Sequence, residues 1–158
     1  MATIYINIGS NSGHREALIE QAVAAVASCL GGKVRRSATV ESEPWGFESE
    51  NMFLNIGLAV ETEGDVDPSE VLEKLQKAEK GIDASSHRDA EGRYVDRAID
   101  IDLIAIDDMV VRSESLTLPH PHAHERMFVM EPMTQLAPEW VHPLLGKSAR
   151  RLRDELEG

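Results

Sequence analysis

Apolar residues recur along this chain in two rhythms. "TIYINI", Thr3 to Ile8, reads as a strand that stops at Gly9-Ser10-Asn11. From His14 to Leu30, Leu18, Ala22, Ala25, Val26 and Cys29 recur at helical spacing, and Gly31-Gly32 ends the run. "KVRRSATVESE" predicts a second strand, and "FLNIGLAVETE" alternates into a third. Asp67-Pro68-Ser69-Glu70 is a helix start, with an aspartate cap, proline in the first turn and glutamate three residues after the cap. The helix it opens turns Val71, Leu72, Leu75 and Ala78 inward. Gly81 to Gly92 has no period and reads as a mobile loop, "AIDIDLIAI" as a fourth strand, and Asp107-Asp108 as a turn into "MVV". Two short helices follow, around Phe128 to Leu136 and Ser148 to Leu156.

This β-α-β-β-α-β order predicts an α+β fold of the ferredoxin-like kind. Its helices lie on one face of an antiparallel sheet, and a C-terminal extension follows. With 158 residues and no repeat or low-complexity linker, the expectation is one domain over 1–158.

Charge narrows the function. Sixteen basic residues stand against 28 acidic ones, a net charge of −12, which disfavours nucleic acid and anionic membrane as partners. A polyanionic ligand would have to be met by local arginines or a divalent metal. Cys29 is the only cysteine, which excludes an intrachain disulfide and a Cys-rich zinc site. No basic, apolar leader and no run of about 18 apolar residues is visible, so the expected setting is cytoplasmic.

The fourth strand carries the first candidate chemistry. Asp100 and Asp102 interrupt an isoleucine- and leucine-rich run two residues apart, so both point to one face while Ile99, Ile101 and Leu103 point to the other. Two carboxylates this close repel unless a cation lies between them, and Mg²⁺ suits such an all-oxygen pair. A solvated strand face, helped by Arg97, explains the same residues. Seven aromatics are few, yet Trp45, Phe47 and Phe53 crowd one window, Tyr94 precedes the acidic strand and Phe128 follows a histidine-rich turn. Such rings either anchor a loop or stack on a flat heterocycle. In "LPHPHAHERMF", Pro121 works against a zinc site built from His120, His122 and His124, whereas His120 and Arg126 suit an anion. A solvated turn fits equally. No GxxxxGK[ST] motif occurs.

Taken together, "IGSN" at Ile8 to Asn11, "PWG" at Pro44 to Gly46, "FLN" at Phe53 to Asn55, "DRAIDIDLI" at Asp96 to Ile104 and "LPHPHAHERMFVMEP" at Leu118 to Pro132 resemble the 6-hydroxymethyl-7,8-dihydropterin pyrophosphokinase family. The resemblance runs in order along nearly the whole chain. It implies transfer of the β,γ-diphosphate of ATP to the hydroxymethyl oxygen of a reduced pterin, with release of AMP, in folate biosynthesis. It also implies two Mg²⁺ ions held by Asp100 and Asp102, and a pterin ring sandwiched by Phe53 and Phe128. Asn55 would bond the ring's edge, with Ser42, Pro44 and Trp45 beside it. Gln76, Glu79, Tyr94 and Leu103 would border ATP, and His120, Arg97 and Arg126 would meet its phosphates. The sequence departs from the family after the second helix, where "DASS" at Asp83 to Ser86 stands in place of an arginine pair. Arg88 and Arg93 are the arginines nearby. Ser42 replaces the usual threonine and Val40 a tyrosine. The aperiodic stretches 42–53 and 81–95 flank this site and are expected to close over the substrates.

Overall fold

The computed structural model describes residues 1–11, 14–42, 52–83 and 99–158. Within them the chain runs β1 (Ala2–Ser10), α1 (Arg15–Leu30), β2 (Lys33–Arg36), β3 (Val40–Ser42), β4 (Phe53–Thr62), α2 (Pro68–Asp83) and β5 (Asp100–Ile106). A small hairpin of β6 (Val111–Arg112) and β7 (Thr117–Leu118) follows, then a 3₁₀ turn (Ala123–Glu125), α3 (Met127–Leu136) and α4 (Ala149–Glu157). The main sheet has the order β2-β4-β1-β5, with β3 also on β4, and every pairing is antiparallel. This is the ferredoxin-like arrangement the element order predicts.

The first helical stripe keeps Ala22 and Val26 of the expected one, but Ile19 rather than Leu18 begins it. Ile19, Ala22 and Val26 are the buried residues of α1, Leu18 is only partly buried, and Cys29 is intermediate. In α2, Val71 and Leu75 are buried with Leu72 and Ala78 at the margin, as the pattern predicts. Asp67 caps the helix, its carboxylate accepting from the Ser69 N–H at 3.0 Å. The helix runs on to Asp83, so the first residues of the expected Gly81–Gly92 loop are helical instead. Helical spacing continues through Ala78 and Ile82, and Gly81 in between costs less than that packing returns.

The second predicted strand is two strands. Arg36 pairs with Leu58 but Val40 with Asn55, so the register slips by one residue between them. Ser37 sits in the break: its N–H donates to the Gly57 carbonyl at 3.0 Å, and the Gly57 N–H donates to its Oγ at 2.8 Å. Nor does β4 alternate in burial. Leu54 through Val60 are buried without interruption, because both faces of the sheet are covered there.

The second cover is the C-terminal extension. One core joins α1 and α2 to Ile4, Ile6, Ile8, Ile56, Leu58, Ile101 and Leu103. A second, on the opposite face, joins α3 and α4 to Tyr5, Ala59, Ile104 and Ala105. That face is therefore divided along its strands. Tyr5, Ala59 and Ala105 lie at the covered end, while Asn7, Gly9, Asn55, Asp100 and Asp102 continue it toward the other end. Gly57 lies at the border, where a Cβ would come within 2.7 Å of Pro132 Cβ and 3.2 Å of Leu136 Cδ1. The Arg35 guanidinium donates to the Leu136 carbonyl at 3.0 Å and so ties the end of α3 to the sheet edge.

β5 contains a second irregularity. Tyr5 pairs with Ala105 but Ile6 with Leu103, leaving Ile104 as an extra residue. Ile104 and Ala105 then share the α3 side, and the Ile104 carbonyl accepts from the His120 N–H at 2.8 Å. The bulge thereby fixes where the histidine-rich turn begins.

Replacing Gly57 with alanine should push α3 off the sheet and destabilise the protein by about 1–3 kcal/mol. Urea unfolding would show this as a lower midpoint; a change under about 0.5 kcal/mol would mean that α3 yields freely at this contact.

Candidate active site

Strand register brings the polar residues into rows. Asp102 lies opposite Asn7, and Asp100 lies opposite Gly9, which on its other side faces Asn55. Directly paired residues share a face, so the two carboxylates and Asn55 flank β1 on the side away from α1 and α2. Adjacent strands are about 4.8 Å apart, which sets the acidic strand about 10 Å from β4. Both aspartates are half-buried.

Beside the acidic pair opens a cleft of about 370 Å³. Gln76 and Glu79 of α2 line one wall, Asp100 to Leu103 the floor, and Glu114 to Thr117 with His120 the other wall. Glu79 is also bonded to the sheet, its Oε2 accepting from the Ile101 N–H at 2.9 Å. This bond joins α2 to the backbone between the two aspartates, so the height of the carboxylates depends on it.

The three histidines of the turn part company. His120 Nδ1 accepts from the His122 N–H at 3.2 Å, His122 Nδ1 lies 3.2 Å from Glu125, and the His124 ring packs edge-on against His142 at 5.8 Å. With Nδ1 accepting, the proton of a neutral His120 is carried by Nε2. Burial first, then the neighbouring Arg126 and His122, push its pKa down to about 4. At neutral pH His120 is therefore an uncharged donor at the cleft. The Arg126 guanidinium lies 5.6 Å from the centre of the Phe128 ring. Asn7 holds this segment from below, its Nδ2 donating to the Phe128 carbonyl at 2.9 Å.

On the other side of β1, Asn55 is 2% exposed. Its Nδ2 donates to Ser42 Oγ at 2.8 Å and to the Val40 carbonyl at 3.3 Å. Only Oδ1 is then left to meet a ligand, and Ser42 serves as its anchor. Gly9 makes this approach possible: a Cβ there would lie 2.8 Å from Asn55 Oδ1 and 3.4 Å from the Phe53 ring.

A family model described as 7,8-dihydro-6-hydroxymethylpterin-pyrophosphokinase matches residues 5–138. The chain belongs to this family. A 2-amino-4-hydroxy-6-hydroxymethyldihydropteridine pyrophosphokinase of Aquifex aeolicus is 34% identical over 156 residues, covering 98% of this chain and 92% of its own. One of Porphyromonas gingivalis is 37% identical over 144 residues, covering 90% of this chain and 95% of its own. Among solved structures, wild-type Plasmodium falciparum HPPK-DHPS with pteroate superposes with a TM-score of 0.74 at 13% identity, which speaks to the fold alone. The chain covers 44% of that longer protein, and 98% of this chain is matched.

Within the pyrophosphokinase family frame, the structure gathers Gln76, Glu79, Asp100, Asp102, Leu103 and His120 around one cleft. It sets Ser42, Phe53 and Asn55 together on the neighbouring strands, with Phe128 tied to β1 through Asn7. Pro44, Trp45, Phe47, Arg88, Arg93, Tyr94 and Arg97 lie outside the described residues, as does most of 42–53 and 81–95. Sequence reasoning missed Asn7, Gly9 and the 114–117 wall. A polar residue and a glycine inside an isoleucine strand were the available signal for the first two, and the polar "SES" turn for the third.

The unfolded chain binds the His120 proton more tightly than the folded one does. The stability conferred by neutral His120 is therefore complete above pH 6.5 and is lost as the pH falls toward 4. An NMR titration of the ligand-free protein should place the His120 midpoint near 4. A midpoint at or above 6.5 would show that the ring is solvated.

Proposed function

We propose that this chain transfers diphosphate from ATP to the hydroxymethyl group of 6-hydroxymethyl-7,8-dihydropterin, releasing AMP in folate biosynthesis, and that 1–158 act as one pyrophosphokinase domain. Family membership supports the reaction. The observation that carries the reading for these residues is the row Asp100–Gly9–Asn55, which joins an acidic cleft to an aromatic and carboxamide site across one strand.

ATP occupies the cleft between α2 and the 114–117 wall, with its triphosphate toward the carboxylates. Gln76, Glu79, Leu103 and Tyr94 border the nucleotide. The pterin lies between Phe53 and Phe128, with Asn55 at its edge and Ser42, Pro44 and Trp45 beside it. Its hydroxymethyl oxygen then faces the β-phosphorus. The new bond joins that oxygen to the β-phosphorus, the bridge to the α-phosphate breaks, AMP leaves, and the hydroxyl proton passes to solvent. Positioning and charge neutralisation suffice for such a transfer, and no protein nucleophile is required.

No group of three or more His, Cys, Asp or Glu side chains poised to hold a metal occurs among the described residues. Two carboxylates alone nevertheless fit Mg²⁺, which usually takes one or two protein oxygens and completes its shell with water and substrate phosphates. Asp100 and Asp102 would hold two such ions. Bound there, Mg²⁺ supplies positive charge to the triphosphate oxygens. His120 donates from Nε2 to a phosphate oxygen without adding charge, and Arg126 and Arg97 add guanidinium donors. The partners are thus small molecules, with neither nucleic acid nor membrane involved. No helix among the described residues is long and apolar enough to cross a membrane. A cytoplasmic setting agrees with the single cysteine.

The "DASS" stretch favours a second reading, a relative that binds pterin or nucleotide with little turnover, because guanidinium groups would be missing from the transition state. Incubation with Mg²⁺, ATP and the pterin alcohol separates the two. AMP is the expected product; ADP would indicate an ordinary kinase, and tight binding without AMP the binding-only relative. Replacing both Asp100 and Asp102 by asparagine should cut AMP formation at least about 10³-fold. Retained turnover would remove the acidic pair from the mechanism. Gly9→Ala should raise the KM for the pterin at least about tenfold and leave that for ATP nearly unchanged, as its methyl group displaces Asn55 Oδ1. Equal effects on both substrates would place Gly9 outside the pterin site.

A further inference from the structure

One side chain at the polar end of the sheet has no role in this scheme. Asn11, just past the end of β1, is 1% exposed, and among the described residues neither its Oδ1 nor its Nδ2 has a hydrogen-bond partner. A carboxamide brings two donors and an acceptor, and buried polar groups are nearly always paired. Left unpaired, it loses its hydration with nothing in return. The neighbouring carboxamides are satisfied, Asn7 by the Phe128 carbonyl and Asn55 by Ser42 and Val40.

The strand says where Asn11 belongs. Ile4, Ile6 and Ile8 turn toward α1 and α2, and Ser10 pairs with Leu54 of that same core. Carried one residue on, the alternation sets Asn11 on the face of Asn7 and Gly9, level with Phe53 of β4. The acidic strand, with the nucleotide cleft, lies on the other side of β1.

Hydrogen-bond chemistry says what it could take. Both Nδ2 hydrogens of Asn55 are in use, so that residue offers the heterocycle an acceptor only. A 2-amino-4-oxo ring presents a carbonyl next to its N–H groups and needs a donor as well. We infer that Asn11 is a further specificity-determining residue for the pterin, donating from Nδ2 to the ring carbonyl and accepting at Oδ1 from an adjacent N–H. The assignment rests on the pyrophosphokinase reading and deepens it. It gives an orphaned buried group the partner that ligand-free protein lacks, and it makes the site choose an oxo ring over an amino one.

The test has an unusual sign. Asn11→Leu removes an unpaired buried amide and keeps its branched shape, so the urea midpoint of the ligand-free protein should rise. Binding of 6-hydroxymethylpterin, measured by calorimetry with Mg²⁺ and α,β-methylene-ATP present, should weaken at least tenfold. Affinity for α,β-methylene-ATP alone should stay within twofold. Asn11→Asp keeps the shape and loses the donor, so it should weaken pterin binding too and serves if the leucine variant folds poorly. Wild type should prefer the 4-oxo pterin to its 2,4-diamino analogue, and both variants should lose that preference. Pterin affinity within twofold of wild type in both variants, or nucleotide affinity falling in parallel, would each overturn the assignment. Wild type that binds no pterin at all would instead overturn the reading beneath it.

Discussion

The close seat of α3 on the sheet at Gly57 governs the rest of this molecule. With no side chain at that position, Pro132 and Leu136 can press against β4, and the second core closes over Tyr5, Ala59, Ile104 and Ala105. The helix starts only at Met127, so α3 leaves the other end of the same face to the residues of the candidate site. One face of one sheet is thus part core and part site, and the boundary runs through Asn7 and Gly57. Asn7 serves both sides: it is 4% exposed, and its amide holds the Phe128 carbonyl at the start of α3.

Two departures from regular pairing place the walls of the site. The extra residue at Ile104 lets the chain hold His120 by its backbone, and the slip between β2 and β3 lets Ser42 reach the Asn55 amide. Bulges re-aim side chains at little cost when their free groups find other partners. Here those partners are His120 and Ser37, each of which links the sheet to a different part of the molecule.

Electrostatics follow the same local logic. A chain with net charge −12 has no general attraction for a triphosphate. Whatever favours the anion must be arranged within a few ångströms, and burial decides the form in which each group takes part. His120 is held neutral between the cleft and a cationic neighbour, so it offers direction rather than charge. Glu79 is bonded to the strand backbone and so acts in part as a brace for the carboxylates.

Much of this was legible along the chain. Periodicity alone gave the element order and with it the ferredoxin-like class, because strands and helices bury residues at different spacings. The Asp-x-Asp pair inside an isoleucine run was visible as an anomaly, since a strand puts both carboxylates on one face whatever surrounds it. What covers that face was not legible. The alternation expected of β4 vanished because α3 packs on it, and a helix's position on a sheet depends on distant contacts such as Gly57 with Pro132. Likewise the family resemblance could name Asn55 as a ligand group, but only tertiary structure showed its amide already engaged by Ser42, 13 residues away. Local spacing determines which way a side chain points; the partners it meets there are set by register and packing between segments far apart in the chain.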